Sequence, residues 1–187
     1  MTVAPAAGRA LIAIALAVLA GGCSLPDQRI YNRVTYRLDS EGYLIGSGSS
    51  ARAVPTYVVG NPFGIPQPQL ANIVGVAMQS AYASRDVRFA VQEEEGLRKD
   101  VSMVVAFDPP PGTSAERMCR APDRIPTTPS AGEIITAMSF CYGRDPMASI
   151  LGRLDRRAGV GDKEFVVLIR DMTRRLFEAE AGQEIRH

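Results

Sequence analysis

Apolar residues recur along this chain at two spacings, three to four residues apart in some stretches and two apart in others. Leu70, Ile73, Val74, Ala77, Met78 and Ala81 mark one face of a helix. Pro66 and Pro68 sit at its start, where a missing backbone donor is tolerated. Phe165, Leu168, Ile169, Met172 and Leu176 mark a second helix, with Asp162 placed to cap it, Arg170, Arg174 and Arg175 facing outward, and Asp171 able to pair with Arg175. Strands are predicted over 56–59, 88–91, 101–107 and 133–142. The last is so continuously apolar that a central strand covered on both sides is expected. Asp145-Pro146 has the form of an N-cap and first helical residue, so Met147, Ile150, Leu151 and Leu154 are read as a short helix ending near Gly159. The stretch up to Ser130, with Pro122, Pro126 and Pro129, reads as a long irregular loop. The order β, α, β, β, β, α, α predicts an α+β fold, a small mostly antiparallel sheet covered by helices, without internal repeats.

Upstream, Val34, Tyr36 and Leu38 alternate with polar residues as in a strand, and the Gly46-Ser47-Gly48-Ser49-Ser50 run has linker composition. Further upstream, Arg9 precedes an unbroken apolar run from Ala10 to Ala20, about half the length a membrane-spanning helix needs. Ala20, Gly21 and Gly22 then lead to Cys23, the layout of a secretory signal. In Leu19-Ala20-Gly21-Gly22-Cys23 the chain resembles bacterial lipoproteins, with Ala20 where that family usually carries a larger aliphatic residue. The resemblance implies cleavage before Cys23 and fatty acylation, palmitate included, of that cysteine. It divides the chain into a signal peptide (1–22), a lipidated N-terminus and tether with one strand (23–54) and an α+β globular domain (55–187). Several acyl chains hold a protein on a membrane where one does so only marginally. Ser24, in place of the aspartate associated with inner-membrane retention, implies the periplasmic face of the outer membrane.

Charge is balanced, with 21 Lys and Arg against 20 Asp and Glu. The leader contributes only Arg9 to that count, so the remainder is neutral and carries no electrostatic footprint for nucleic acid. A chain of 187 residues suits a single core once the leader is set aside. With Cys23 acylated, Cys119 and Cys141 remain, and an even pair in an oxidising compartment implies a disulfide.

Candidate chemistry is sparse. The single histidine is the terminal His187, which leaves a Ser-His-Asp triad without a base. Cys119, Cys141 and His187 match no zinc spacing, so no metal ligands, no cofactor and no catalytic residue are assigned. Gly60-Asn61-Pro62-Phe63-Gly64 reads as a rigid turn setting how helix 70–81 packs, with backbone anion binding as the alternative. It resembles strand, Gly-Asn-Pro-Phe, helix segments of exported bacterial proteins, a likeness that implies no activity. Glu93, Glu94 and Glu95 read as a solvated turn. The expected function is a non-catalytic protein-binding or assembly-accessory module anchored in the envelope, with Arg170, Arg174 and Arg175 as candidate contacts to an envelope protein. A small-molecule or lipid-binding module and a carboxylate-dependent enzyme are the alternatives. Metabolic labelling with an alkyne fatty acid should mark the wild-type chain and not Cys23→Ala, which should also leave the membrane fraction. A Cys23→Ala chain that labels and pellets with membranes would contradict the anchor.

Overall fold

The computed structural model describes residues 32–35, 53–82, 87–130, 132–155 and 159–177. Cys23, the segment around Gly46 to Ser50 and His187 lie outside them. The elements in chain order are β1 (Asn32–Thr35), β2 (Ala53–Val59), α1 (Gln67–Ala81), β3 (Arg88–Ala90), β4 (Val101–Phe107), α2 (Ala115–Arg120), a 3₁₀ turn (Pro122–Arg124), β5 (Glu133–Tyr142), β6 (Asp145–Asp155) and α3 (Lys163–Phe177). The strands form a six-stranded sheet in the order β1-β6-β5-β4-β2-β3. β2 runs parallel to β3 and to β4, and the other pairings are antiparallel. This is an α+β fold with a mostly antiparallel sheet.

The two long amphipathic helices cover one face. Leu70, Val74, Ala77 and Met78 of α1 and Phe165, Leu168, Ile169, Met172 and Leu176 of α3 bury against Val54, Met103, Val105, Phe107, Ile134, Met138, Phe140, Ile150 and Leu154. Aromatic contacts tie the ends of this core: Phe63 packs edge-on to Phe165 at 4.9 Å, and Phe140 to Phe177 at 4.9 Å. α3 comes so close to β6 that a Cβ at Gly152 would lie 2.5 Å from the Met172 sulfur. On the opposite face a smaller cluster joins Val104, Ala106, Ala137 and Cys141 of the sheet to Met118 and Cys119 of α2 and to Ile125. β5 is therefore covered on both sides, as its continuous apolarity predicts.

The structure corrects two expectations. Asp145-Pro146 does not begin a helix. It begins β6, paired along its length with β5 across a two-residue turn, Gly143-Arg144, in which Gly143 takes φ 57°. Met147, Ile150, Leu151 and Leu154 fit a helical stripe, but Ala148, Ile150, Gly152 and Leu154 also alternate, and all four of these are buried, together with Met147 beside the bulge. The antiparallel pairing with β5 decides between the two periods, and Pro146 sits at the bulge between Phe140 and Cys141, where a missing donor is harmless. The stretch expected as irregular contains α2, whose N-cap Ser114 accepts from the Arg117 N–H at 3.3 Å. The core also begins slightly before Pro55. Val54 is fully buried, and the Ala53 carbonyl accepts from the Arg98 N–H at 2.9 Å.

Two backbone features hold the upper ends of β2 and β4. Asp108 ends β4 with φ 49°, an uncommon conformation outside glycine. It donates its N–H to the Ile135 carbonyl at 2.7 Å and accepts the Ile135 N–H on Oδ1 at 2.9 Å, which extends the pairing with β5 by one residue. Gly60, at φ 82°, lies where a Cβ would be 2.5 Å from the Phe107 carbonyl oxygen. Gly60→Ala should therefore destabilise by about 2 to 4 kcal/mol, against about 1 for Gly64→Ala, where φ is positive but no atom lies within 4 Å. Chemical denaturation of the two variants checks this, and equal stabilities would contradict it.

Candidate functional site

The second face of the sheet is where cover runs out. Six strands span about 24 Å across at about 4.8 Å per spacing, while a six-residue helix is about 9 Å long. α2 therefore covers only the strip over β4, β5 and β6, and it is fixed there by a disulfide between Cys119 and Cys141, whose Cα atoms are 5.6 Å apart. On the chain-entropy account, closing this 22-residue separation stabilises by about 3 kcal/mol. Beside the strip stands Tyr57 of β2. Strand alternation sends Val54 and Val58 to the long helices and Tyr57 to the second face, where it remains 48% exposed.

Two grooves meet at Tyr57 and Pro122. One, of about 830 Å³, runs between Pro55, Tyr57 and Cys119 and the connection 93–100. The other, of about 810 Å³, lies along residues 56–59 of β2 between Pro68 and Ala71 of α1 and Pro122 and Asp123 of the 3₁₀ turn, with Val91 at its end. The residues facing this double cleft include five carboxylates, Glu93, Glu94, Glu95, Asp100 and Asp123, against two cations, Arg98 and Lys99. Arg88 and Arg124 pair with Glu94 and Asp123, so with them counted the cleft carries one carboxylate more than cations.

The connection 93–100 is held by its own ion pairs. Arg98 is buried and clamps Asp100 with two hydrogen bonds, Nε to Oδ1 at 3.0 Å and Nη2 to Oδ2 at 2.6 Å. That pairing is the main reason the Asp100 carboxyl titrates below its ordinary 3.8. Glu94 is gripped by Arg88 through two contacts of 2.6 Å. Glu94, Asp100 and Asp108 are thus each turned to a cation or a backbone N–H.

The residues singled out from sequence fall in separate places. Arg170, Arg174 and Arg175 are exposed on the outer side of α3, across the sheet from the cleft, and Arg170 bonds to Asp171 at 3.3 Å. The Gly60-Gly64 loop is a packing turn: Asn61 donates to the Ile65 carbonyl and Phe63 enters the core. The first N–H groups of α1 are used locally, since those of Gln69 and Leu70 bond the Pro66 carbonyl. Asp162 turns its carboxylate back to the Gly159 N–H. Among the described residues no three His, Cys, Asp or Glu side chains gather as a metal site would require, and no helix is long and apolar enough to cross a membrane. Tyr57 went unmarked in the sequence; its only signal is a large aromatic at an alternate position of a strand whose neighbours are valines.

No protein-family model matches the chain, and no curated protein matches it. Among solved structures it is similar to the PelC dodecamer from Paraburkholderia phytofirmans, with a TM-score of 0.43 and 12% identity over 80% of this chain and 97% of that one. A point variant of the same dodecamer gives 0.42 and 11% over the same shares.

The Arg98 clamp has a pH signature. Because the folded carboxyl is lowered, its contribution to stability is fully present above the unfolded value near 3.8 and is lost as pH falls through the lower folded value. Carbon-detected titration of Asp100 should give a midpoint below 3.8 that rises in Arg98→Ala. An unchanged midpoint in that variant would contradict the assignment.

Proposed function

We propose that this chain is a lipid-anchored lipoprotein of the bacterial envelope that acts without catalysis, docking a partner protein at the cleft beside Tyr57. The observation that carries the reading is the half-covered second face of the sheet: an exposed tyrosine, flanked by two grooves, on a surface that a disulfide-pinned helix covers only in part. Tyrosine is enriched where proteins meet because it offers apolar area and a polar tip for few rotatable bonds. The disulfide suits an exported protein. The Cys23 anchor keeps the domain at a membrane, periplasmic face of the outer membrane by the Ser24 pattern, and confines its search for a partner to that surface.

A second reading, a small-molecule or lipid-binding module, draws on the groove of about 810 Å³, whose walls include Val58, Val59, Pro68, Ala71 and Val91. One experiment separates the two. A photo-crosslinking phenylalanine analogue is placed at position 57, and in a parallel chain at position 174 on the arginine face, and each is irradiated in the native envelope. Position 57 should capture a discrete protein, and Tyr57→Asp should reduce co-purification of that protein about tenfold or more while changing stability by only about 0.5 kcal/mol. Capture from 174 alone would move the partner to Arg170, Arg174 and Arg175. Capture of lipid alone at 57 would favour the second reading.

A further inference from the structure

β2 has two different neighbours on its β3 side. Its first half, Ala53 to Pro55, pairs with Arg88 to Ala90 of β3, but β3 stops there and the chain bends away at Val91 and Gln92. Residues 56–59 pair on their other side with Met103 to Ala106 of β4, and among the described residues no strand lies on the β3 side. Two hydrogen bonds say which backbone groups face that side. The Ala53 carbonyl points toward β4's side, since it accepts from the Arg98 N–H at 2.9 Å. The Val58 carbonyl points the other way, since it accepts from Gln67 Nε2 at 2.8 Å across the groove. Strand alternation then turns the Thr56 C=O and the N–H and C=O of Val58 into the groove and the groups of Tyr57 and Val59 to β4, while the Thr56 N–H is spent on Ala90 in the Pro55–Ala90 pairing, since Pro55 has no N–H to offer. The groove of about 810 Å³ is this gap: Thr56 to Val59 along its back, Pro68 and Ala71 of α1 on one side, Pro122 and Asp123 on the other.

We infer that the gap along residues 56–59 receives an extended basic segment of a partner protein, added as a strand in the line that β3 leaves empty. The inference rests on the partner-binding reading above and specifies its partner. Open strand edges take up extended peptides through main-chain bonds, with alternate side chains read by the two walls. Here one wall is small and apolar. The other is Tyr57, Pro122 and Asp123, continuous at Tyr57 with the groove that carries Glu93 and Glu95. The exposed carboxylates of Glu93 and Glu95 select lysine or arginine on the guest strand, and the stretch of four residues, about 13 Å, sets its length. Gln67 occupies one acceptor until the guest arrives, which keeps the edge from pairing indiscriminately.

The test uses the full chain, isotopically labelled and purified in detergent, and acetyl-Lys-Val-Lys-Val-Lys-Val-amide as the probe. Titration should shift the Val58 amide resonance saturably and slow its hydrogen exchange. Replacing each lysine of the probe by glutamate should weaken binding about tenfold or more. Two probes N-methylated on alternate sets of backbone nitrogens should differ about tenfold or more, because only one set faces β2 and each lost bond is modest. No shift at millimolar probe, or equal binding of both methylated probes, would overturn strand addition. So would slow exchange at Val58 before any probe is added: independent of protein concentration, it would show the chain filling its own gap, and dependent on it, a second copy. Capture from position 57 that persists through such a failure leaves the partner-binding reading standing, whereas probe binding without capture removes that reading alone.

Discussion

Everything at the candidate site depends on the unequal cover of the two faces of one sheet. Two fifteen-residue helices bury most of the first face, with aromatic contacts to Phe107 and Phe140. Among the described residues the second face has only α2 and the turn after it. A helix of six residues has too few internal hydrogen bonds to persist alone, so its place must be set by something outside itself. The Cys119 to Cys141 bond supplies that, with Met118 and Ile125 packed around it. Where this clamped strip ends, Tyr57 and the acidic connection 93–100 begin.

The gap beside β2 has a related origin. A parallel β2-α1-β3 unit needs its return strand to lie against β2, but only Arg88, Phe89 and Ala90 do so before the glutamates turn the chain toward solvent. The connection then folds back and is locked to the sheet by Arg98, through its backbone bond to Ala53 and its side-chain bonds to Asp100. Further along, the Asp100 carbonyl accepts from the Gly143 N–H at 2.7 Å, tying the connection to the β5-β6 hairpin. Acidic wall, aromatic post and open strand edge are thus consequences of one short strand and one buried arginine.

Much of the scaffold was legible in the pattern of residues. α1, α3, β4 and β5 carry a single unambiguous period, and packing followed it. β6 was misread because Ile150 and Leu154 satisfy both periods, and only pairing with β5 could choose between them. α2 was missed because prolines after it mask a helix whose stability comes from a crosslink rather than from its own periodicity. Asp108 is buried and bound to Ile135, a contact 27 residues away in sequence that no local pattern announces. The cleft had no local signature, because it is assembled from β2, the 93–100 connection, α1 and the turn at Pro122, and its character is set by what fails to cover them.

Hydroxyl-radical footprinting of the purified full chain tests the central claim, the open second face, most directly. The account predicts that Tyr57, 48% exposed, is modified far faster than Tyr82, which is 6% exposed and packed against Phe177. Equal protection of Tyr57 and Tyr82 in the purified chain would show that the second face is covered after all, and the account would fail.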